Sequence, residues 1–456
     1  MNFLNKHLER KLGLFPVTNI VIANIIGAGI FTTTGFLMDF LGNPLMMLAL
    51  WLVGGLIALC GALAFGELGA TFPEAGGEYM FISRLFHPML GFLSGWLSLI
   101  VGFSAPIAAS AIGFSKYFVW AFPGFQSWLN LSNLLSEDSF SKVLAVLVIL
   151  SFSLLHSRGV VLGAKVQNGL TILKILLVAG LIVAGFTVGE GTFDNLKTEQ
   201  SFQFDFAGWK SIGLSLMFVM FAFSGWNSAT YIGSEIKNPG KVIPRSLLIS
   251  TGIVTVLYLL LNLFFVYAIP PDQMIGEPEI GGLAAGKAFG PVAETVLSLL
   301  ISFALFSSLS AFIILGPRVY YSMAKDGYFF KSIAKINPVF RVPQNAIILQ
   351  SVIAIVIVLT GTFDQILAYM GFSLGIFPIL AVLGIFKLRM SGQSKLKLPG
   401  YPVAPAFFIL TNVVILARAY FERTWESTIA ILTALSGIPV FYWFKKKKRL
   451  DEHFDK

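Results

Sequence analysis

The residues able to do chemistry are few, and all lie where water is scarce. Ile25-Ile26-Gly27-Ala28-Gly29-Ile30-Phe31 falls inside the first long apolar segment, and Phe223-Ser224-Gly225-Trp226-Asn227 falls inside the sixth. Lipid offers a backbone no hydrogen-bond partner, so a spanning helix must satisfy itself. A glycine in a helix interior costs about 1 kcal/mol against alanine. A helix broken at such a point ends its first half with free C=O groups and begins its second with free N–H groups. The N–H end attracts a carboxylate and the C=O end an ammonium or cation. An α-amino acid carries both charges on neighbouring atoms. Close packing of a second helix against Gly27 and Gly29, and a packed kink at Ser224-Gly225, are the simpler alternatives. Asn227 adds an amide at membrane depth, where polar groups face the bundle interior.

Lys174 is the one Lys or Arg deep inside an apolar segment. A charge there costs several kcal/mol unless paired or wet, and it lies too far from either end of its span to snorkel. It needs oxygen acceptors. The candidates are the carbonyls freed at the first break and the hydroxyls of Ser307, Ser308 and Ser310 in the eighth apolar segment.

Composition sets the solvent that these residues must work in. The 456 residues are 56% hydrophobic with a mean hydropathy of +0.81, and 12% are charged, where a soluble domain averages about 25%. The chain reads as an all-α membrane protein. A net charge of +9 would point to nucleic acid in a soluble protein; here the excess of Lys and Arg in cytoplasmic loops explains it better. The first apolar run is long enough to span, so no cleavable signal is expected. His7, His87, His156 and His453 do not cluster with Cys, Asp or Glu at metal spacing. No phosphate loop, nucleophilic triad or dinucleotide fingerprint is present. The sequence predicts no enzyme, metal or cofactor.

Apolar spans are predicted at 13–38, 45–69, 86–114, 141–156, 161–187, 208–234, 244–270, 288–324, 346–361, 363–387, 402–421 and 427–444. Of the 32 Lys and Arg, 24 fall on one side of this arrangement, seven on the other, and Lys174 between. Both termini are therefore predicted cytoplasmic. The two Gly-interrupted spans each head a block of five. Paired broken spans in corresponding halves mark a transporter site between inverted repeats. The expectation is one permease domain over 1–456, with repeats 13–187 and 208–387 followed by two added helices at 402–444. Glu67, Glu74, Glu78, Arg84, Glu235, Arg245, Arg318 and Asp326 share the cytoplasmic level. They could form an inner gate of ion pairs, or stand as solvated loop charges worth about 0–1 kcal/mol a pair.

The chain resembles the amino acid–polyamine–organocation superfamily, and within it the L-type amino acid transporters. The resemblance is carried by residues 25–31, Gly-Glu-Leu-Gly-Ala-Thr-Phe-Pro-Glu-Ala-Gly-Gly-Glu-Tyr at 66–79, and Phe-Ser-Gly-Trp-Asn at 223–227. Glu-Ile-Lys-Asn-Pro at 235–239 and Gly-Pro-Arg-Val-Tyr-Tyr-Ser-Met-Ala-Lys-Asp-Gly at 316–327 extend it. It implies the LeuT-type fold with alternating access to a midplane site. The substrate carboxylate would meet N–H groups near Ala28, Gly29 and Ile30. Its amino group would meet carbonyls near Ile25, Ile26, Phe223 and Ser224. Trp226, beside Gly225, resembles the aromatic gate that caps the site. In L-type relatives a lysine on the fifth helix stands where sodium-coupled cousins hold a sodium ion, so Lys174, with Ser307 and Ser308, implies sodium-independent transport. Many relatives place a Tyr after the Asn of the seventh helix; here Asn262 is followed by Leu-Phe-Phe, so Phe265 takes that place. Tyr258 and Tyr267 lie one or two turns away.

The reading is a secondary transporter exchanging neutral L-amino acids across an inner or plasma membrane. Proton-coupled uptake is the alternative, and a non-transporting amino acid sensor is disfavoured by the short tail. The side-chain pocket is expected from Ser98–Ala109 and Tyr369–Ser373. With no Asp or Glu expected near the breaks, cationic substrates are disfavoured. The loop at 115–140 has no cysteine, so no disulfide-linked heavy chain is expected; the partners are the amino acid and membrane lipid.

Overall fold

The computed structural model describes the chain except for residues 1–7, 123, 130, 132–133, 198–201, 278, 362 and 455–456, and side chains at 120–121, 363–369, 371 and 451–454. The protein is all-α. The first span is two helices, α1 (Leu14–Ile25) and α2 (Gly29–Leu41), and α3 (Pro44–Thr71) is the second. A short α4 (Glu78–Leu85) precedes the third span, in which α5 (Pro88–Leu97) and α6 (Ala105–Ala121) flank a π-helical turn at Ser98–Ser104. After α7 (Phe125–Trp128) come α8 (Glu137–His156) and α9 (Val160–Thr187). The sixth span is α10 (Phe206–Ala222), a break, and a 3₁₀ segment at Ser228–Glu235. Then follow α11 (Pro239–Ala268), α12 (Pro271–Met274), α13 (Ile280–Phe289), α14 (Pro291–Lys325), α15 (Gln344–Thr360), α16 (Phe363–Met390), α17 (Val403–Glu422) and α18 (Thr424–Phe454).

Ten helical stretches among the described residues, with Leu14–Leu41 counted as one, are long and apolar enough to cross a bilayer; Phe206–Ala222 and Gln344–Thr360 are shorter apolar helices. Their outer faces confirm the solvent. Leu147, Leu150 and Leu154 on α8 and Val352, Val356 and Leu359 on α15 are exposed at helical spacing, which only a lipid surroundings makes inexpensive. The chain is thus a multi-pass membrane protein.

Local chemistry sets the boundaries. Gly42 takes the left-handed conformation that ends α2 (φ 56°), and Asn43 then accepts from the Met46 N–H at 2.9 Å with Pro44 opening α3. Asp205 caps α10 through the Gly208 N–H at 2.8 Å. The π-helical turn precedes Pro106. In an α-helix Pro106 would leave the Gly102 carbonyl without a donor and press its ring on it; the wider turn, with Ala105 N–H bonded to Ile100 O, relaxes that conflict. The sequence reading missed this turn, α4 and α13.

The two interrupted spans meet. The Gly225 backbone lies at φ +95°, and a Cβ there would fall 2.3 Å from Asn24 Nδ2. A Cβ on Gly29 would come within 3.0 Å of Ala222 Cα. The second half of the sixth span, expected as continued helix to 234, is instead a 3₁₀ segment tied to the chain's start. Lys11 and Leu12 N–H groups both bond Glu235 O at 2.9 Å, and Lys237 N–H returns to Leu12 O at 2.8 Å.

This end of the molecule, the terminal side, where Lys11 and Lys448 lie, is sealed. Arg318 grips Glu235 with two parallel bonds, Nε to Oε2 at 2.8 Å and Nη2 to Oε1 at 2.9 Å, and the pair is 2% and 0% exposed. Gly76 N–H bonds Tyr231 O at 3.1 Å and Ala75 N–H bonds Ser234 Oγ at 2.9 Å. Tyr79 donates to Asp326 at 2.8 Å. Glu67 pairs with Arg389 rather than with a gate residue, and among the described residues Glu74, Arg84 and Arg245 form no ion pair. The gate residues thus divide into one buried pair and several solvated or separately engaged charges. Because Glu235 has no water to fall back on, Arg318→Ala is expected to cost about 3–5 kcal/mol, read as a lowered melting temperature in detergent. Replacing both partners with Leu and Met should cost less. An Arg318→Ala protein that melts like the parent contradicts this.

Candidate functional site

Backbone breaks create the site. α1 ends at Ile25, Ile26 turns to an extended conformation (φ −73°, ψ 92°), and Gly27 and Ala28 are half-buried between two fully buried flanks. α2 then starts at Gly29, so its first-turn N–H groups have no preceding carbonyls within the helix. Across from them, α10 ends at Ala222. Phe223 is buried, Ser224 and Gly225 are half-buried, and Trp226 and Asn227 are buried.

The freed carbonyls of α1 are already occupied. Lys174, 1% exposed, donates from Nζ to Ile26 O, to Ala23 O at 3.3 Å and to Ser308 Oγ at 2.8 Å. Ser308 in turn sits 2.8 Å from Ile26 O. The Tyr258 hydroxyl lies 2.9 Å from Ile25 O and 3.1 Å from Ala222 O, bridging the ends of both broken helices with one proton. The Ile25 and Ile26 carbonyls, expected to face a substrate ammonium, thus already carry protein donors. Ser307 is not on the amine either. It faces Gln167 Nε2 at 3.1 Å and Thr171 Oγ1 at 3.3 Å, because one residue along α14 turns the side chain by about 100°. Ser310 meets His156 Nε2 at 2.8 Å. Phe265 is buried without a hydroxyl to offer, and Tyr258, one residue type the sequence reading placed merely nearby, carries the bridge.

A cleft enclosing, with its mouth, about 1040 Å³ opens beside the breaks. Asn24, Ser224, Gly225, Trp226 and Asn227 form one wall, and Ser98, Val101, Gly102, Phe103 and Pro106 of the third span form another. Ser373 and Phe377 of α16 and Phe408 and Asn412 of α17 complete it. The expected third-span residues thus lie here by way of the π-helical turn, a feature frequent at functional sites. Of the expected α16 stretch Ser373 lines the cleft, and the Tyr369 side chain lies outside the described residues. Trp226 lines the cleft and packs edge-on against Phe65 and Phe408, with ring centroids 4.8 and 5.4 Å apart; it does not face lipid. Asn24 is 5% exposed, and its Oδ1 has no hydrogen-bond partner among the described residues.

One carboxylate reaches this cleft, contrary to the expectation of none near the breaks. Glu78 lines its floor, 6% exposed, and accepts from Asn227 Nδ2 at 2.7 Å. Gly76 and Gly77, at φ +120° and +53°, turn the chain back into the bundle just before it; a side chain at either would be strained. Burial pushes the Glu78 carboxyl up to about 7, against the lowering effect of hydrogen bonds from Tyr231 and Asn227. Hydropathy could not show this, because Glu78 sits in a polar link; the Gly-Gly-Glu-Tyr run was the available signal. Among the described residues no group of three or more His, Cys, Asp or Glu is placed to hold a metal. The single thiol, Cys60, lies within α3, so no loop cysteine is available to bond a heavy chain.

Comparison with known proteins agrees with this architecture. The family described as amino acid permease matches residues 12–438. The serine/threonine exchanger SteT of Bacillus subtilis (strain 168) is 28% identical over 448 residues, covering 97% of this chain and 98% of the relative. The b(0,+)-type amino acid transporter 1 of Mus musculus is 27% identical over 442 residues (96% and 88%), and the cystine/glutamate transporter of Homo sapiens 26% over 445 residues (96% and 85%). With a family match over residues 12–438, the chain belongs to the amino acid permease family and is a secondary transporter.

Proposed function

We propose that this permease exchanges neutral L-amino acids by alternating access, without sodium. Its twelve spans form one domain over 1–456, with inverted repeats 13–187 and 208–387 and two added helices at 402–444, in an inner or plasma membrane with both termini cytoplasmic. The observation that carries the reading is Lys174. Its ammonium sits on Ala23 O, Ile26 O and Ser308 Oγ, a set of oxygens suited to a monovalent cation, so the cation a coupled carrier would bind is already built in. The relatives named above as an exchanger and a cystine/glutamate transporter are consistent with exchange.

Substrate binding uses what the protein leaves free. The carboxylate takes the N–H groups of Ala28, Gly29 and Ile30 at the start of α2. With Ile25 and Ile26 occupied, the ammonium takes the carbonyls of Phe223 and Ser224 and the unpartnered Asn24 Oδ1. The side chain enters the cleft between Trp226 and the third span. Glu78 is hydrogen-bonded to Asn227 and held off full ionisation by burial, so its presence does not demand a cationic substrate.

In proteoliposomes loaded with unlabelled amino acid, labelled alanine or leucine should enter at the same rate when sodium is replaced by choline, and more slowly when the lumen is empty. Sodium-stimulated uptake contradicts the reading. Lys174→Ala leaves two mid-membrane carbonyls short of a charged donor. If one of the two goes unreplaced, the loss is about 1.5–3 kcal/mol, and exchange should fall roughly 10- to 100-fold while the protein still elutes as a monodisperse peak. A Lys174→Ala carrier with parental exchange contradicts the assignment.

A further inference from the structure

We propose that Glu78 is a proton-binding site of the transport cycle, loaded from the cleft while the terminal side is sealed and emptied to the opposite compartment when that side opens. The proposal rests on the alternating-access reading above and adds an ion to it.

The geometry is that of a carboxyl with two faces. On one it lines the substrate cleft together with Ser94, Ser98 and Asn227, and Ser94, 1% exposed, has an Oγ without a partner among the described residues. That orphaned hydroxyl marks a floor able to hold water beside the carboxyl. On the other it is part of the seal. Glu78 belongs to the Gly76-Gly77 turn and α4, which are tied to the 3₁₀ segment of the sixth span through Gly76 N–H to Tyr231 O at 3.1 Å and Asn227 Nδ2 to Glu78 Oε1 at 2.7 Å. Any opening of the terminal side must part α4 from that segment, and so must strip the Asn227 bond from Glu78 and hydrate it.

Among the described residues no cation holds Glu78 ionised while the seal is closed. Of the charged groups on the elements packed around α4, Arg389 of α16 is on Glu67, Lys387 of α16 is on the Leu85 carbonyl, and Arg318 of α14 is on Glu235 of the sixth span. Asp326 beyond α14 accepts from Tyr79. Arg84 of α4 and His87 before α5 are exposed. Tyr231 faces the carboxyl directly, and Tyr320 of α14 lies beyond it, its hydroxyl 3.4 Å from Ser98 O.

The sign follows. In the closed arrangement burial raises the carboxyl to about 7; once hydrated, it returns to the ordinary carboxylate range near 4.3. The closed arrangement therefore binds the proton more tightly. Its advantage is full at acid pH and is lost as pH rises through about 7. Between those limits closing takes one proton from cleft water, forming an O–H bond on Glu78, and opening breaks that bond and returns the proton to water on the terminal side. No other bond changes.

The test uses the full chain in phospholipid vesicles, with labelled alanine and leucine and a pH dye trapped inside. In vesicles without internal amino acid, where entry is slow but net, one proton per substrate lets an acid exterior one pH unit below the lumen support about tenfold accumulation, and the lumen acidifies as substrate enters. Glu78→Gln, which keeps an acceptor for Asn227, should lose both the accumulation and the dye signal. Glu78→Asp should keep them with a shifted pH profile. If labelled substrate enters the empty vesicles while the dye stays silent, the proton site is overturned and the exchanger reading stands. If Glu78→Gln moves protons like the parent, the site is likewise overturned. Absence of labelled exchange at every pH overturns the transport reading and this proposal with it. Should Glu78→Gln not fold, the parent's dye signal and the midpoint of its pH profile decide alone.

Discussion

An interrupted helix in a membrane must find partners for its loose backbone, and the protein supplies them from side chains on three other spans. The carbonyls of Ala23 and Ile26 meet the Lys174 ammonium and the Ser308 hydroxyl. Those of Ile25 and Ala222 share the Tyr258 hydroxyl. A charge at membrane depth costs about 2.5–3.5 kcal/mol on insertion scales, and charge-assisted hydrogen bonds contribute about 1.5–3 kcal/mol each. Three acceptors on one amine offset part of that cost. The carbonyl ends are thereby engaged by protein donors, while Ser224 and Gly225 are half-buried beside the cleft. The break is half scaffold and half site.

The same economy of partners explains why one side is closed. Glu235 takes a bidentate guanidinium from Arg318 through its carboxylate and two N–H groups from Lys11 and Leu12 through its backbone. A single residue thus joins the start of the chain, the end of the sixth span and α14. The turn at Gly76-Gly77 adds the link to α4, and through it Glu78 to the cleft. These bonds share residues and so tie the three elements to one another.

Much of this was legible in the sequence because the exceptional residues are rare in their surroundings. Glycines at 27, 29 and 225 and a lone charge at 174 stand out against long apolar runs, and the span limits followed from the same runs. What stayed hidden depends on register or on links. The partner of Lys174 is Ser308 and not Ser307, a difference of one step around α14. Tyr258 looks like any interior aromatic until its hydroxyl is placed between two broken ends. The π-helical turn at Ser98–Ser104 leaves hydropathy unchanged. Glu78 and α13 sit in connecting segments, where composition reports polarity but not the backbone turn that carries a residue inside.

Two broken helices share one polar junction, with the Lys174 amine at its centre. An experimental structure with a bound neutral amino acid tests this most directly. Substrate carboxylate density is expected at the N–H groups of Ala28 to Ile30, with the Lys174 amine on Ile26 O and no ion beside it. A substrate bound elsewhere, or a sodium ion in that place with Lys174 turned to lipid, contradicts it.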